Sequence, residues 1–214
     1  VQKMKDGVDG WGNTNWYDKI YGTGTRTHHN ISATGGSDRV RFFASIGYLD
    51  EKGNIDNYGY NRLNLRSNID AKLTKSLTFT LGVSGRIEKR DSPRYSANPD
   101  DWHNVPQQVI RALPYVPATY EYEGKVYNVS TPTASSPVAP LASINESGYS
   151  KSNYSYIQSN FSLKYDAPWL KGLSFKFQGA YDLTYNFSKI LTNPYEVMIM
   201  NLPTIESTSL TYYK

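Results

Sequence analysis

The sequence predicts an all-β fold: an antiparallel meander of about six long strands with one very long loop, laid out as part of a transmembrane barrel. Three observations carry this. Apolar and polar residues alternate with a period of two over six separate stretches, as they must where the faces of a strand meet different solvents. Several of these stretches exceed ten residues, whereas a soluble strand averages ~5–6 and a tilted membrane strand needs ~9–11. The connections alternate short and long, the pattern of brief periplasmic turns and extended outer loops.

The first stretch, 27–35, is the weakest and carries Ile31 and Ala33. In 40–48, Val40, Phe42, Ala44, Ile46 and Tyr48 alternate with Arg41, Ser45 and Gly47, with Phe43 interrupting the polar row. In 61–73, Leu63, Leu65, Ile69, Ala71 and Leu73 oppose Arg62, Asn64, Arg66, Asn68, Asp70 and Lys72. In 77–87, Leu77, Phe79, Leu81, Val83 and Ile87 oppose Thr78, Thr80, Ser84 and Arg86. In 157–165, Ile157, Phe161, Leu163 and Tyr165 oppose Gln158, Asn160, Ser162 and Lys164. In 173–187, Leu173, Phe175, Phe177, Tyr181, Leu183, Tyr185 and Phe187 oppose Ser174, Lys176, Gln178, Asp182, Thr184 and Asn186.

Gly35-Gly36-Ser37-Asp38, Thr74-Lys75-Ser76 and the stretch from Asp166 to Gly172 read as short turns. Residues 49–60, 90–152 and the stretch beyond 188 read as long connections. A structureless loop of that second length is foreign to a compact soluble domain. Within it, Val105 to Ala112 predicts one or two helical turns opened by Pro106. Tyr120 to Val129 predicts a small hairpin around Glu123-Gly124. Tyr48, Tyr58, Tyr60, Tyr154, Tyr156, Tyr165, Trp169, Tyr185 and Phe187 cluster at strand ends, where an interfacial aromatic girdle is expected.

Composition narrows the classes. The 214 residues contain 19 tyrosines and no cysteine, which removes disulfides, thiolate metal sites and cysteine nucleophiles. Mean hydropathy is −0.59, and the longest aliphatic run is Val197–Met200, far short of the ~20 apolar residues of a spanning helix. The net charge is +4, but the basic residues are scattered, which argues against nucleic acid as a partner. The first ten residues lack the apolar core of a secretory leader, and Val1 reads as a point inside a longer chain.

Residues 13–24, NTNWYDKIYGTG, and the stretch that follows to residue 85 resemble SusC/RagA-type TonB-linked outer-membrane transporters. The family pattern W-x-D-x-I is met by Trp16, Asp18 and Ile20, and H-N-x-S-x-x-G-G by His29, Asn30, Ser32, Gly35 and Gly36. Phe43, Ala44, Ser45, Gly47 and Tyr48 follow, then Arg62, Asn64, Arg66, Asn68 and Asp70. Asn54 after Gly53 departs from the family's E-G-I turn. The resemblance extends, less distinctively, through Ser136 to Leu141 and on to about residue 190.

The resemblance implies a 22-stranded barrel with an N-terminal plug, sited in the outer membrane of Bacteroidetes-type bacteria. It implies import of an oligosaccharide or peptide, TonB as energy source through the plug region, and a SusD-like surface lipoprotein as partner. Residues 1–26 would be the plug-to-barrel linker and 27–190 the early barrel strands with the long loop at 90–152. Residues 191–214 would be a loop with the possible start of the next strand. The plug, the TonB box and the closing strands are expected outside this stretch. With Gly35-Gly36 and Thr74-Lys75 as periplasmic turns, Leu77, Phe79, Leu81 and Val83 face membrane lipid. Arg62, Arg66, Asp70, Lys72, Arg86 and Lys176 face the lumen or plug, since an Arg or Lys turned to mid-membrane costs ~2–4 kcal/mol.

Catalysis finds little support. No G-x-S-x-G, H-E-x-x-H or P-loop spacing occurs, and Gly22-Thr23-Gly24 lacks the strand–loop–helix setting of a phosphate cradle. Asp100, Asp101 and His103 read as turn and cap residues rather than metal ligands. The chain is therefore read as no enzyme, with no cofactor, metal or catalytic residue. The candidates for contact with substrate or partner are Tyr95, Trp102, Tyr115, Tyr120, Tyr122 and Tyr127, aromatic groups on a proline-stiffened loop. Two other readings stand beside the transporter. One is a secreted carbohydrate-binding β-sandwich and the other a small barrel enzyme. A sandwich buries the row Leu63, Leu65, Phe79, Leu81, Val83, Phe175 and Phe177 against a second sheet; a barrel segment leaves it exposed on one sheet.

Overall fold

A computed structural model describes residues 2–94, 104–130, 138–201 and, for the backbone, 211–213. Six strands form one antiparallel sheet in the order of the chain, interrupted by a long excursion. They are β1 (Thr25–Gly36), β2 (Val40–Lys52), β3 (Gly59–Lys72), β4 (Leu77–Pro93), β7 (Gly148–Asp166) and β8 (Ser174–Thr192). Each alternating stretch of the sequence is one of these strands, extended towards the long-loop side, most of all β4, which runs on to Pro93, and β7, which starts at Gly148 rather than 157, so the connection expected at 90–152 is shorter at both ends. The antiparallel meander is thus borne out.

The register is continuous across the sheet. Ile31, Ile46, Leu65, Ile157 and Leu183 stand in one row, with Gly85 representing β4. Four residues along, Phe42, Ile69, Leu81 and Phe161 form another. These rows are exposed: Leu65 is 46 % accessible, Phe175 56 % and Phe177 65 %. Leu63, Phe79 and Leu81 are half-buried. A sandwich would have covered this face; here it is the open side of a single sheet. On β4 the band runs from Leu77 to Ile87, and a rise of ~3.3 Å per residue with a tilt of about 40° makes it roughly 25 Å tall, the height of a barrel's lipid-facing band. No helix among the described residues is long and apolar enough to cross a membrane.

The girdle expectation is corrected by the register. Tyr48 and Tyr185 lie in the apolar-face row of Leu63 and Ile87, and Phe187 and Tyr165 share that face. Tyr165 packs against the turn residue Trp169 with ring centroids 5.8 Å apart. Tyr60, Tyr154 and Tyr156 belong to the opposite, polar face, because each is an even number of residues from Arg62 or Gln158.

The buried core lies at the long-loop end of the strands. The excursion between β4 and β7 contains α3 (Val105–Arg111), β5 (Thr119–Tyr122), β6 (Lys125–Ser130) and α4 (Pro140–Asn145). The hairpin β5–β6 turns on Glu123 and Gly124, both at positive φ (51° and 75°), as a two-residue turn between right-twisted strands requires. After β8, β9 (Val197–Asn201) returns and pairs parallel to β6, and β10 (Thr211–Tyr213) pairs with β9. The resulting four-stranded sheet, β10-β9-β6-β5, has its own core of Val116, Val129, Val138, Met198 and Met200.

The N-terminal stretch completes this cap. It holds α1 (Gln2–Asp6) and α2 (Trp16–Ile20). Asn15 caps α2: its side-chain oxygen accepts from the Asp18 N–H at 3.3 Å, and its amide donates to the Asp18 carboxylate at 2.6 Å. Trp16 inserts into the first core, and Ile20 joins Ile55, Val105 and Ile144 in a second.

Candidate functional site

Two features stand out as candidates: the polar face of the six-stranded sheet and the cap at its rim.

On the polar face, Arg62, Arg66, Asp70 and Lys176 share one parity of the register. Arg66 is level with Ser84, Gln158 and Asp182, and Asp70 with Thr80, Ser162 and Gln178. Lys176 faces Lys164, whose ammonium is 2.8 Å from Asp166. Towards the rim the face gathers a charged, aromatic cluster. Glu88 stands opposite Arg62 and is only 4 % exposed. Arg86 Nε lies 3.0 Å from one of its oxygens, and a terminal nitrogen of Arg90 donates to the other at 2.8 Å. The Arg86 guanidinium lies over the Tyr156 ring at 4.3 Å, and that of Arg90 over Tyr154 at 4.9 Å and Tyr60 at 5.7 Å. The Nε of Arg62 is buried and has no hydrogen-bond partner among the described residues.

Two guanidiniums thus hold one carboxylate, with tyrosine faces beside them and Arg62 across the strand. Two of the planes are held by stacking on rings, which fixes donors at little further entropic cost. Glu88 and Arg90 escaped the sequence reading, which stopped at Ile87; continuing its parity two residues would have found them. The pairing predicts a stability effect. Glu88→Gln removes the charge between half-exposed arginines, so the loss is modest, about 1 kcal/mol. It is read as a lower urea midpoint of the full-length protein in vesicles.

The cap orders the aromatic loop. Tyr115 meets Trp11 edge-on at 6.1 Å, and Tyr115, Tyr120 and Tyr127 pack against the Val116–Met200 core. Lys125 Nζ sits 4.6 Å from the centre of the Tyr127 ring. Tyr122, at the hairpin tip, is 47 % exposed. Tyr95 and Trp102, with Asp100, Asp101 and His103, lie outside the described residues. Gln108 of α3 donates to the Ser143 hydroxyl of α4 at 2.9 Å, and that hydroxyl is 3.2 Å from the Tyr195 hydroxyl. The α2 segment is held by the loop: Trp16 Nε1 donates to the Leu113 carbonyl at 2.9 Å and Thr14 Oγ1 to that of Val116 at 2.8 Å. Burial pushes the Tyr21 phenol up, with neighbouring Tyr17 adding to the effect.

No protein-family model matches the chain. By sequence it is similar to TonB-dependent receptor P3 of Formosa agariphila, 33 % identical over 84 residues that make up 39 % of this chain and 8 % of that protein. It is likewise similar to TonB-dependent receptor SusC of Bacteroides thetaiotaomicron, 32 % identical over 60 residues, 28 % of this chain and 6 % of that one. By fold it is similar to solved structures of the RagAB peptide importer. The "open-open" state matches with a TM-score of 0.61 at 19 % identity, over 92 % of this chain and 22 % of that one. The "closed-closed" state matches with 0.59 at 18 % identity, over 96 % and 22 %. The chain therefore spans less than a tenth of these curated relatives and about a fifth of the solved chains.

Proposed function

We propose that this chain, a segment of a SusC/RagA-type barrel in the bacterial outer membrane, serves the TonB-powered import of a glycan or peptide. The observation that carries the reading is the two-sidedness of the six-stranded sheet. One face is an exposed apolar band of membrane height, and the other is lined with Arg, Asp, Lys, Asn and Gln. Such a wall separates lipid from an aqueous lumen and has no other use for its exposed phenylalanines.

In this reading Arg62, Arg66, Asp70 and Lys176 face the lumen or the plug of a 22-stranded barrel, and residues 1–26 lead into the wall from the plug. The cap stands on the outer side. Tyr122 offers an aromatic face to sugar rings or peptide side chains, and Tyr95 and Trp102 are proposed for the same contact on residue type alone, while Tyr115, Tyr120 and Tyr127 brace the surface that meets a SusD-like lipoprotein. TonB acts through the plug rather than through this segment. The likeness in sequence to receptors and in fold to an importer supports transport over catalysis.

Deletion of the gene for the full-length protein is expected to abolish growth on one class of oligosaccharide or peptide while sparing growth on the corresponding monomers. Loss of TonB function is expected to give the same phenotype. Unchanged growth and uptake across both nutrient classes would reject the import role.

A further inference from the structure

Two to four residues beyond the row of Ile87 and Tyr185, the lipid-side face turns basic. Lys151 of β7 and Lys189 of β8 are directly opposite each other. Their ammonium groups approach the same ring, Tyr149, at 5.0 and 5.9 Å. Lys89 lies one row inward, level with Asn153 and Phe187. All three lysines are exposed. Asp91 stands across from Lys151 in the register, yet among the described residues no carboxylate comes within ion-pair distance of Lys89, Lys151 or Lys189. Like charges set opposite each other weaken a sheet. The arrangement is relieved if an anion sits between them.

A cavity of about 540 Å³ is lined by Lys151, though not by Lys189, and among others by Asp91, Ser92, Asn145, Tyr149 and Asn193. Its walls offer amide, hydroxyl and carboxylate groups suited to sugar hydroxyls, next to an aromatic face and an ammonium. The height is informative. On β8 the exposed apolar face continues to Phe187, and the Lys151–Lys189 row lies two residues beyond Phe187 and four beyond Ile87 and Tyr185, towards the long loops, the outer side of a barrel. That is the level of lipid phosphates.

We propose that Lys151 and Lys189, with Lys89 below and the adjoining cavity, bind the phosphorylated sugar headgroup of an outer-leaflet glycolipid. The site lies on the outside of the wall and takes no part in import. It rests on the outer-membrane reading of the apolar band.

The test uses the full-length protein in detergent micelles, titrated with bisphosphoryl lipid A, with its dephosphorylated form and with inorganic phosphate, and followed by native mass spectrometry. The unsubstituted protein is expected to favour the phosphorylated lipid about tenfold, a difference of ~1.4 kcal/mol. The double variant Lys151→Gln/Lys189→Gln loses that preference. Lys164→Gln/Lys176→Gln, on the opposite face near the other end, keeps it. Equal binding of the two lipids by the unsubstituted protein, which needs no variant to fold, overturns the proposal. So does displacement of the lipid by inorganic phosphate at equal concentration, which would make this a site for a free anion. The underlying membrane reading fails separately, if the unsubstituted protein is absent from the outer-membrane fraction.

Discussion

Leu81→Arg is expected to destabilise the barrel by about 2–4 kcal/mol, because it puts a guanidinium near the middle of the lipid-facing band. Leu81 is level with Ile69 and Phe161, apolar on both sides, so the charge finds no carboxylate in its own row. Its nearest relief is to bend towards the headgroups, half the height of the band away. Ser84→Arg adds the same charge to the same strand on the polar face. There it is level with Arg66, Gln158 and Asp182 across the strands. That variant is expected to cost well under half as much. The measurement is the urea dependence of folding of the full-length protein into vesicles, with outer-membrane yield as a cellular counterpart. Equal losses for the two variants would mean that the faces do not meet different solvents.

Trp16→Ala is expected to cost about 3–5 kcal/mol in the cap. The indole is 4 % exposed, touches the core around Val116 and Met200, and donates to the Leu113 carbonyl across a separation of 97 residues. Truncation leaves a void and an unpaired carbonyl together. A second variant approaches the joint from the backbone. A methyl group on Gly12 would stand 2.4 Å from the Pro117 nitrogen and the Val116 carbonyl carbon, neither of which can turn aside. Gly12→Ala is therefore expected to lift the N-terminal stretch off the loop as well. Hydrogen exchange of the full-length protein reads both, as faster exchange at residues 12–20 and 113–118 with β3 and β4 unchanged. Unaltered exchange in the first two segments would show that this joint does not hold the cap.

How much could be read in advance follows from what each element faces. The wall strands were legible because each separates two solvents, and such a strand writes its environment into every second residue. The hairpin at Glu123-Gly124 and the helix begun by Pro106 were legible from local turn chemistry. Val197–Asn201 was not. Met198 and Met200 are buried on one side and Val197 and Ile199 half-buried on the other, so the strand is apolar throughout and shows no period. Its partner, β6, lies some seventy residues earlier, and nothing local announces it. The rim tyrosines failed differently. Proximity to strand ends suggested a girdle, while parity, already present in the sequence, put Tyr60, Tyr154 and Tyr156 beside the arginines. The docking of Trp16 depends on a contact between distant segments that no short pattern encodes.

The parallel pairing of β6 with β9 has a mechanical consequence. An ordinary surface loop is tethered at two points and can swing about them as a gate swings on its post. Here the chain leaves β6, runs down and up the wall through β7 and β8, and returns to clasp β6 from the side. The outer structure is riveted to the hairpin beneath it at a third point. It cannot pivot alone without first unzipping a row of backbone hydrogen bonds. Force applied at the cap is therefore passed directly into β7 and β8, and the rim and this part of the wall move as one stiff piece.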